Sequence, residues 1–222
     1  MEGIHQMINI IYEDNHLLVV EKPINVPIQE DESKDLDFLT MLKNFIKKRD
    51  NKPGNVYLGL VHRLDRPVGG VMVFAKTSKC ASRLSEQVRN RILKKEYYAV
   101  CEGKVSSKGT FKDKLLKDTK NNIVRVDKNG KDAVLDYELM DYKDKFSLVR
   151  INLRTGRSHQ IRVQFSSRGH ALYGDQKYNE HSKVGEQIAL FAHSLVLIHP
   201  ITKEEMKFEL ELPKSYPWNI FS

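Results

Sequence analysis

The sequence predicts an α+β fold built on a central mixed, mainly antiparallel sheet flanked by helices and loops. Three observations carry that prediction. Short runs with the two-residue period of strands outnumber runs with the 3.6-residue period of helices. The strand-like runs follow one another without a regular strand–helix–strand rhythm, which argues against a doubly wound fold. A chain of 222 residues is long enough for one sizeable core, and no repeat, low-complexity tract or convincing boundary divides it, so a single domain over 1–222 is expected.

Residues 8–12 and 17–21 are apolar runs separated by Glu13, Asp14, Asn15 and His16, where Asp and Asn supply turn geometry, so they read as a hairpin. Pro23 closes the second strand, and Pro27 with an acidic cluster makes 24–33 a loop. From Asp35 the period changes. Leu36, Leu39, Leu42, Phe45 and Ile46 share a helical face, Asp35 or Ser33 can cap it, and Lys47, Lys48 and Arg49 suit its C-terminal end. Pro53 and Gly54 break this helix. Residues 58–76 read as two strand segments either side of a turn at Pro67, Gly69 and Gly70. Thr77 or Ser78 then caps a second helix, with Ala81, Leu84 and Val88 inward and Arg83, Arg89 and Arg91 outward.

Residues 95–102 read as a strand ending at Gly103. The polar, lysine-rich stretch 106–130 reads as a basic hairpin or insertion, with short strands at 110–111 and 123–126; 134–140 and 146–153 are stronger strands. Arg154, Thr155 and Gly156 end a strand and open a helix that places Ile161 and Phe165 inward and stops at Gly169. After a loop over 171–186, residues 188–198 and 206–212 read as the last strands.

Lys+Arg exceed Asp+Glu by 37 to 29, a net charge of +8 that favours a polyanionic partner, although a merely basic surface reads the same way. The two cysteines, Cys80 and Cys101, lie far apart and suggest neither a disulfide framework nor a zinc knuckle. The N-terminal segment has no basic start followed by an apolar core, and no stretch reaches the length of a membrane span, so a cytoplasmic protein is expected. His62, His159, His170, His193 and His199 form no HxH, HxxxH or HExxH pattern, so no metal is expected. Gly69 and Gly70 lack the GxxxxGK context of a phosphate loop.

The chemistry is expected where the 58–76 stretch breaks. His62, Arg63 and Asp65 stand there together, a carboxylate at the mouth of a turn with cations nearby, and Asp65 is the candidate catalytic residue. The group His62, Arg63, Leu64 and Asp65 with Gly69, Gly70, Ala75 and Lys76 resembles the signature of the RluA family of RNA pseudouridine synthases. Three further clusters resemble the same family in the right order. They are Lys95, Tyr97, Ala99 and Gly103; then Thr155, Gly156, Arg157, His159, Gln160, Ile161, Arg162, Gly169, His170, Gly174, Asp175 and Tyr178; then Phe191, Ala192 and His193 with His199 and Pro200.

The resemblance implies the pseudouridine synthase fold and the isomerisation of specific uridines in ribosomal RNA or tRNA, with base flipping. That reaction breaks the N1–C1′ bond, rotates the base and rejoins it through C5, so no electron or group carrier is needed and no cofactor is expected. By resemblance Asp65 is the nucleophile, at C1′ or at C6 or as an aid to elimination, and Arg162 is the ion-pair partner that keeps it charged. Tyr97 stacks on the base and Arg63 enters the RNA stack. His62, Ile161, Leu195, Arg157, His159 and Gln160 complete the substrate-binding set, with core packing the competing role for Leu195. Departures from the family pattern occur at Asn25, where a glycine is usual, at 28–30, which lack a histidine, at Pro67 and Val68, where Thr and Ser are common, and at Gln164, a frequent histidine. Asn25 tolerates the positive φ a glycine would adopt. No room is evident for the family's S4-type domain, so RNA affinity is expected from the catalytic domain, with 104–131 supplying phosphate contacts. No obligate protein partner is expected, and a monomer is the default. A catalytically silent RNA binder would lack Asp65 or Arg162; both are present.

Overall fold

The computed structural model describes residues 8–31 and 33–221; most of the N-terminal segment discussed above and Glu32 of the acidic loop lie outside them. The chain forms two compact units, Met1–Leu93 with Ser194–Leu210, and Lys94–His193 with Glu211–Ser222.

The first unit contains β1 (Asn9–Glu13), β2 (Leu17–Lys22), α1 (Phe38–Arg49), β3 (Gly59–Leu60), β4 (Gly69–Ala75), α2 (Ser78–Arg89), the last part of β10 (Leu190–Ile198) and β11 (Glu205–Glu209). The order is β1–β2–β4–β10, with β3 also on β4 and β11 on β10. The pairs β1–β2, β2–β4, β3–β4 and β10–β11 are antiparallel. Asp14 makes the predicted hairpin turn, its Oδ1 accepting from the main-chain N–H of His16 and Leu17, each at 2.6 Å. Alternate residues of a strand share a face. Leu17 and Val19, Val71, Val73 and Ala75, and Leu195 and Leu197 therefore meet Cys80 and Leu84 of α2 and Phe208 of β11 in one buried cluster.

α2 starts where the sequence placed it, with Thr77 Oγ1 accepting from Cys80 N–H at 3.2 Å. α1 does not. Its cap is Asp37, whose Oδ1 accepts from Thr40 N–H at 3.0 Å, and Leu36 lies outside the helix, 47% exposed. The reason is long-range. The N–H groups of Phe38 and Leu39 donate to the carbonyls of Pro27 and Ile28 at 2.8 and 3.3 Å, which fixes the first turn at Phe38. Asp35 is instead drawn into an ion pair with Arg66.

The second unit contains β5 (Lys94–Glu102), β6 (Lys108–Asp118), β7 (Ile123–Val126), β8 (Lys131–Lys143), β9 (Phe146–Leu153), the start of β10 and α3 (Gln160–Ser166). The strand order is β10–β5–β9–β8–β6–β7. The pairs from β5–β9 to β6–β7 are antiparallel. β6 is much longer than the two-residue strand expected at 110–111. β8 pairs it from Lys108↔Glu138 to Leu115↔Lys131. Outward charges on these strands match across the sheet, Arg150 with Glu138, Arg154 with Asp136 and Lys114 with Asp132. Within the basic stretch Lys114 pairs with Asp132 and Arg125 with Asp127, so part of its charge is neutralised.

α3 packs on β6 and β8 through Phe165, whose ring centroid lies 5.1 Å from that of Phe111 and 5.6 Å from that of Tyr137. Asp113 of β6 accepts from Gln164 Nε2 at 2.6 Å and pairs with Arg168 at 3.0 Å. The helix ends at Ser166, earlier than expected, and Gly169 beyond it has a positive φ of 77°. Strands dominate, helices are few, and the α+β prediction holds.

Candidate active site

In the first unit Asp65 lies in the connection between β3 and β4, half-buried, with its carbonyl accepting from Val68 N–H at 3.0 Å to close the turn. Two buried side chains fix that connection. His62, 7% exposed, accepts the Val73 N–H of β4 on Nε2 at 3.1 Å, which leaves its ring proton on Nδ1. Lys22, at the end of β2, is fully buried and donates to the carbonyls of Pro23, Arg66 and Val68 at 2.9, 3.0 and 2.9 Å. An ammonium has three N–H donors, so all three are used. Burial pulls the Lys22 pKa down to about 7, against the opposing pull of the Asp65 charge.

The same packing crowds Gly69, where a Cβ would stand 3.1 Å from the Lys22 carbonyl oxygen and 3.0 Å from Ile24 Cγ2. Asn25 adopts φ of 61°, the conformation its side chain was expected to tolerate. Arg63 is exposed. Leu195, by contrast, sits in the buried cluster of this unit at 1% exposure, which is the core-packing role rather than a wall for substrate.

In the second unit Tyr97 lies on β5 and is 5% exposed. Arg162 on α3 is held by Asp175, with Nε donating to Oδ2 at 2.8 Å and Nη2 to Oδ1 at 2.6 Å. Both side chains are buried, at 7% and 0% exposure. Asp175 Oδ1 also accepts from the N–H groups of Lys177 and Tyr178 at 3.1 and 3.3 Å. Gly174 just before it has φ of 69°, and a Cβ there would lie 2.2 Å from the Gln187 carbonyl oxygen, so only glycine fits.

The Arg162 guanidinium also lies 5.1 Å from the centre of the Tyr178 ring. The Tyr178 hydroxyl accepts from Val124 N–H at 2.8 Å and shares a second hydrogen bond with His159 Nδ1 at 2.6 Å. His159 itself has φ of 51°. Gln160 Oε1 accepts from Thr155 Oγ1 at 2.8 Å and from Arg157 N–H at 3.0 Å, tying the turn after β9 to the start of α3. Arg157 Nε donates to the Asp132 carbonyl at 2.9 Å, and Ile161 is buried.

The first unit thus brings together Asp65, His62 and Arg63, and the second brings together Arg162, His159, Gln160, Ile161 and Arg157 on or beside one short helix. Sequence reasoning gave no site role to Lys22, which it read as the end of a strand, or to Asp175, which it matched to the family motif within a loop. Their signals were a lysine closing an apolar strand and an aspartate after a turn glycine.

A family profile described as RNA pseudouridylate synthase matches residues 16–167, a span that holds Asp65, Tyr97 and Arg162. The chain belongs to the RNA pseudouridine synthase family. As a pseudouridine synthase it is an RNA uridine isomerase, and the relatives it matches over most of its length carry the same family name. An uncharacterized RNA pseudouridine synthase of Bacillus subtilis is 35% identical over 210 residues, 93% of this chain and 69% of that one. Ribosomal large subunit pseudouridine synthase D of Zymomonas mobilis is 31% identical, over 93% of this chain and 70% of that one. The solved structure of human RNA pseudouridylate synthase domain containing 4 superposes with a TM-score of 0.79 at 23% identity, covering 96% of this chain and 91% of that one, which shows the shared fold.

Proposed function

We propose that the synthase isomerises specific uridines in ribosomal RNA or tRNA, with Asp65 as nucleophile and the whole chain acting as one catalytic domain. The observation that carries this reading is the Asp65 turn, whose backbone is fixed by Lys22 and His62 while the carboxylate stays half-buried at its surface. A carboxylate on a preset backbone can meet a flipped base without reorganising. The N1–C1′ bond of the uridine breaks, C5 bonds to C1′, C5 gives up its proton, and N1 gains one.

Arg162, oriented by Asp175, is the second catalytic residue. Tyr97 stacks on the base and Arg63 replaces it in the RNA stack, an insertion that offsets a few kcal/mol of unstacking. Ile161, Arg157, His159 and Gln160 contact the RNA, with His62 beneath the turn as its support. Of the two RNA classes, the relatives named for the ribosomal large subunit favour ribosomal RNA. The protein works in the cytoplasm, without cofactor, as a monomer.

The test maps pseudouridine, by carbodiimide adduct and primer extension, across ribosomal RNA and tRNA from cells with and without the gene. Complementation with wild type should restore one site. Asp65→Asn should fold, bind RNA and restore nothing; restoration near the wild-type level would overturn the role of Asp65.

A further inference from the structure

One cation of the second unit has no task in the reaction as described. Lys95 stands on β5 two residues before Tyr97, so both side chains leave the strand on the same face. It is half-buried, and among the described residues it has neither an ion pair nor a hydrogen bond. Its ammonium lies beside the turn that follows β9. A Cβ built on Gly156 would lie 4.0 Å from Lys95 Nζ and would meet nothing else within that radius. Gly156 and Arg157 are both exposed there. The ammonium therefore borders a bare stretch of backbone with open space above it.

Other groups on this turn are tied or wanting a partner in a telling way. Arg154 is neutralised by Asp136 and Arg157 Nε is taken by a carbonyl. Gln160 is buried, and the Arg157 N–H fixes which end of its amide is oxygen; its Nε2 has no partner among the described residues. A desolvated ammonium favours an incoming acceptor, and burial holds the Lys95 pKa down at about 8. Glycine lets such an acceptor approach the main chain closely. The matching group on a polyanionic substrate is the phosphodiester.

We propose that Lys95, with the backbone of the 154–158 turn, binds a phosphate of the substrate RNA adjacent to the target uridine. This rests on the reading of the chain as an RNA-modifying enzyme. A lysine suits the task as a compact point charge that holds a phosphate without dictating sequence.

The experiment measures binding of an unmodified transcript of large-subunit ribosomal RNA against salt concentration. It uses Asp65→Asn protein and the same protein carrying Lys95→Met or Lys95→Arg. Lys95→Met should flatten the slope of log affinity against log salt by about 0.7 to 0.9, the loss of one phosphate contact, and weaken binding alike for unrelated transcripts. Lys95→Arg should keep the slope. An unchanged slope in Lys95→Met, or a slope that Lys95→Arg fails to keep, overturns the proposal. Should Lys95→Met not fold, the parent protein labelled with 15N-lysine decides: the Lys95 ammonium resonance must move on adding transcript, and a resonance that stays put overturns the contact. Pseudouridine mapping in cells reads the enzymatic function separately, so a synthase with an indifferent Lys95 is distinguishable from a protein that is no synthase.

Discussion

Replacing Asp175 by asparagine tests how the second unit presents Arg162. The substitution keeps the volume of the side chain and one oxygen for the Lys177 and Tyr178 N–H groups, but it removes the charge and turns an NH2 group toward the guanidinium. Breaking a buried ion pair by removing one partner costs about 3 to 5 kcal/mol, because the other charge is left uncompensated. Asparagine retains one acceptor, so the lower end, about 3 kcal/mol, is expected. For a chain of this size each kcal/mol is worth about 2 to 4 °C, so the melting temperature should fall by roughly 6 to 12 °C. If Arg162 has the catalytic role proposed for it, a loosely held guanidinium also misplaces that charge, and a displacement of about 1 Å costs on the order of 100-fold in turnover. Thermal melts by circular dichroism and single-turnover pseudouridine formation read the two effects. The pair itself is isolated by Arg162→Met, Asp175→Leu and the double variant, which should be less unstable than the sum of the singles by about 0.5 to 3 kcal/mol. A melting temperature within about 2 °C of wild type for Asp175→Asn, or strictly additive costs in the cycle, would refute the argument.

Two other outcomes follow from the buried polar groups. Lys22 has a folded pKa of about 7 against about 10.4 in an unfolded chain, so between those values the unfolded chain holds a proton that the folded one lacks and stability rises with pH; below pH 7 both hold it and the full burial penalty remains. Urea unfolding should therefore show the stability of wild type relative to Lys22→Met climbing from pH 7 to 9.5, and a constant difference would count against it. Tyr178→Phe orphans the Val124 N–H at a cost of about 1 to 3 kcal/mol while leaving the ring beside Arg162. Amide exchange at Val124 should accelerate, and unchanged protection there would show that the hydroxyl does not hold the β6–β7 hairpin.

The strands that bury alternate residues were legible because period alone defines them. β2, β4, β9 and β10 all fall where their apolar runs predicted. β6 was not, because lysines at its outward positions make a paired strand read as a polar insertion; what extends it is the register with β8. The cap of α1 was misplaced for a related reason. Ser33, Asp35 and Asp37 offer the same local chemistry, and only the carbonyls of Pro27 and Ile28 choose among them. The closing 3-10 turn at Trp218–Phe221 is too short to show a period. At the site, Asp65 was visible as a carboxylate in a turn, and the family resemblance supplied its role and those of Arg162 and Tyr97. The contacts of the supporting groups were hidden, since Lys22 acts on carbonyls 44 and 46 residues away and Asp175 on an arginine 13 residues before it.

Lys22 gives every one of its donors to main-chain oxygens, those of Pro23, Arg66 and Val68. It senses the path of the turn after Asp65 and is blind to the identity of the side chains on it. The side chains of the turn answer to other neighbours: Val68 is buried at 2% exposure and Arg66 pairs with Asp35. The path of the turn and the packing of its side chains are thus held by separate contacts, so a side-chain change at Arg66 that leaves its carbonyl in place keeps the Lys22 bond while losing the tie to Asp35.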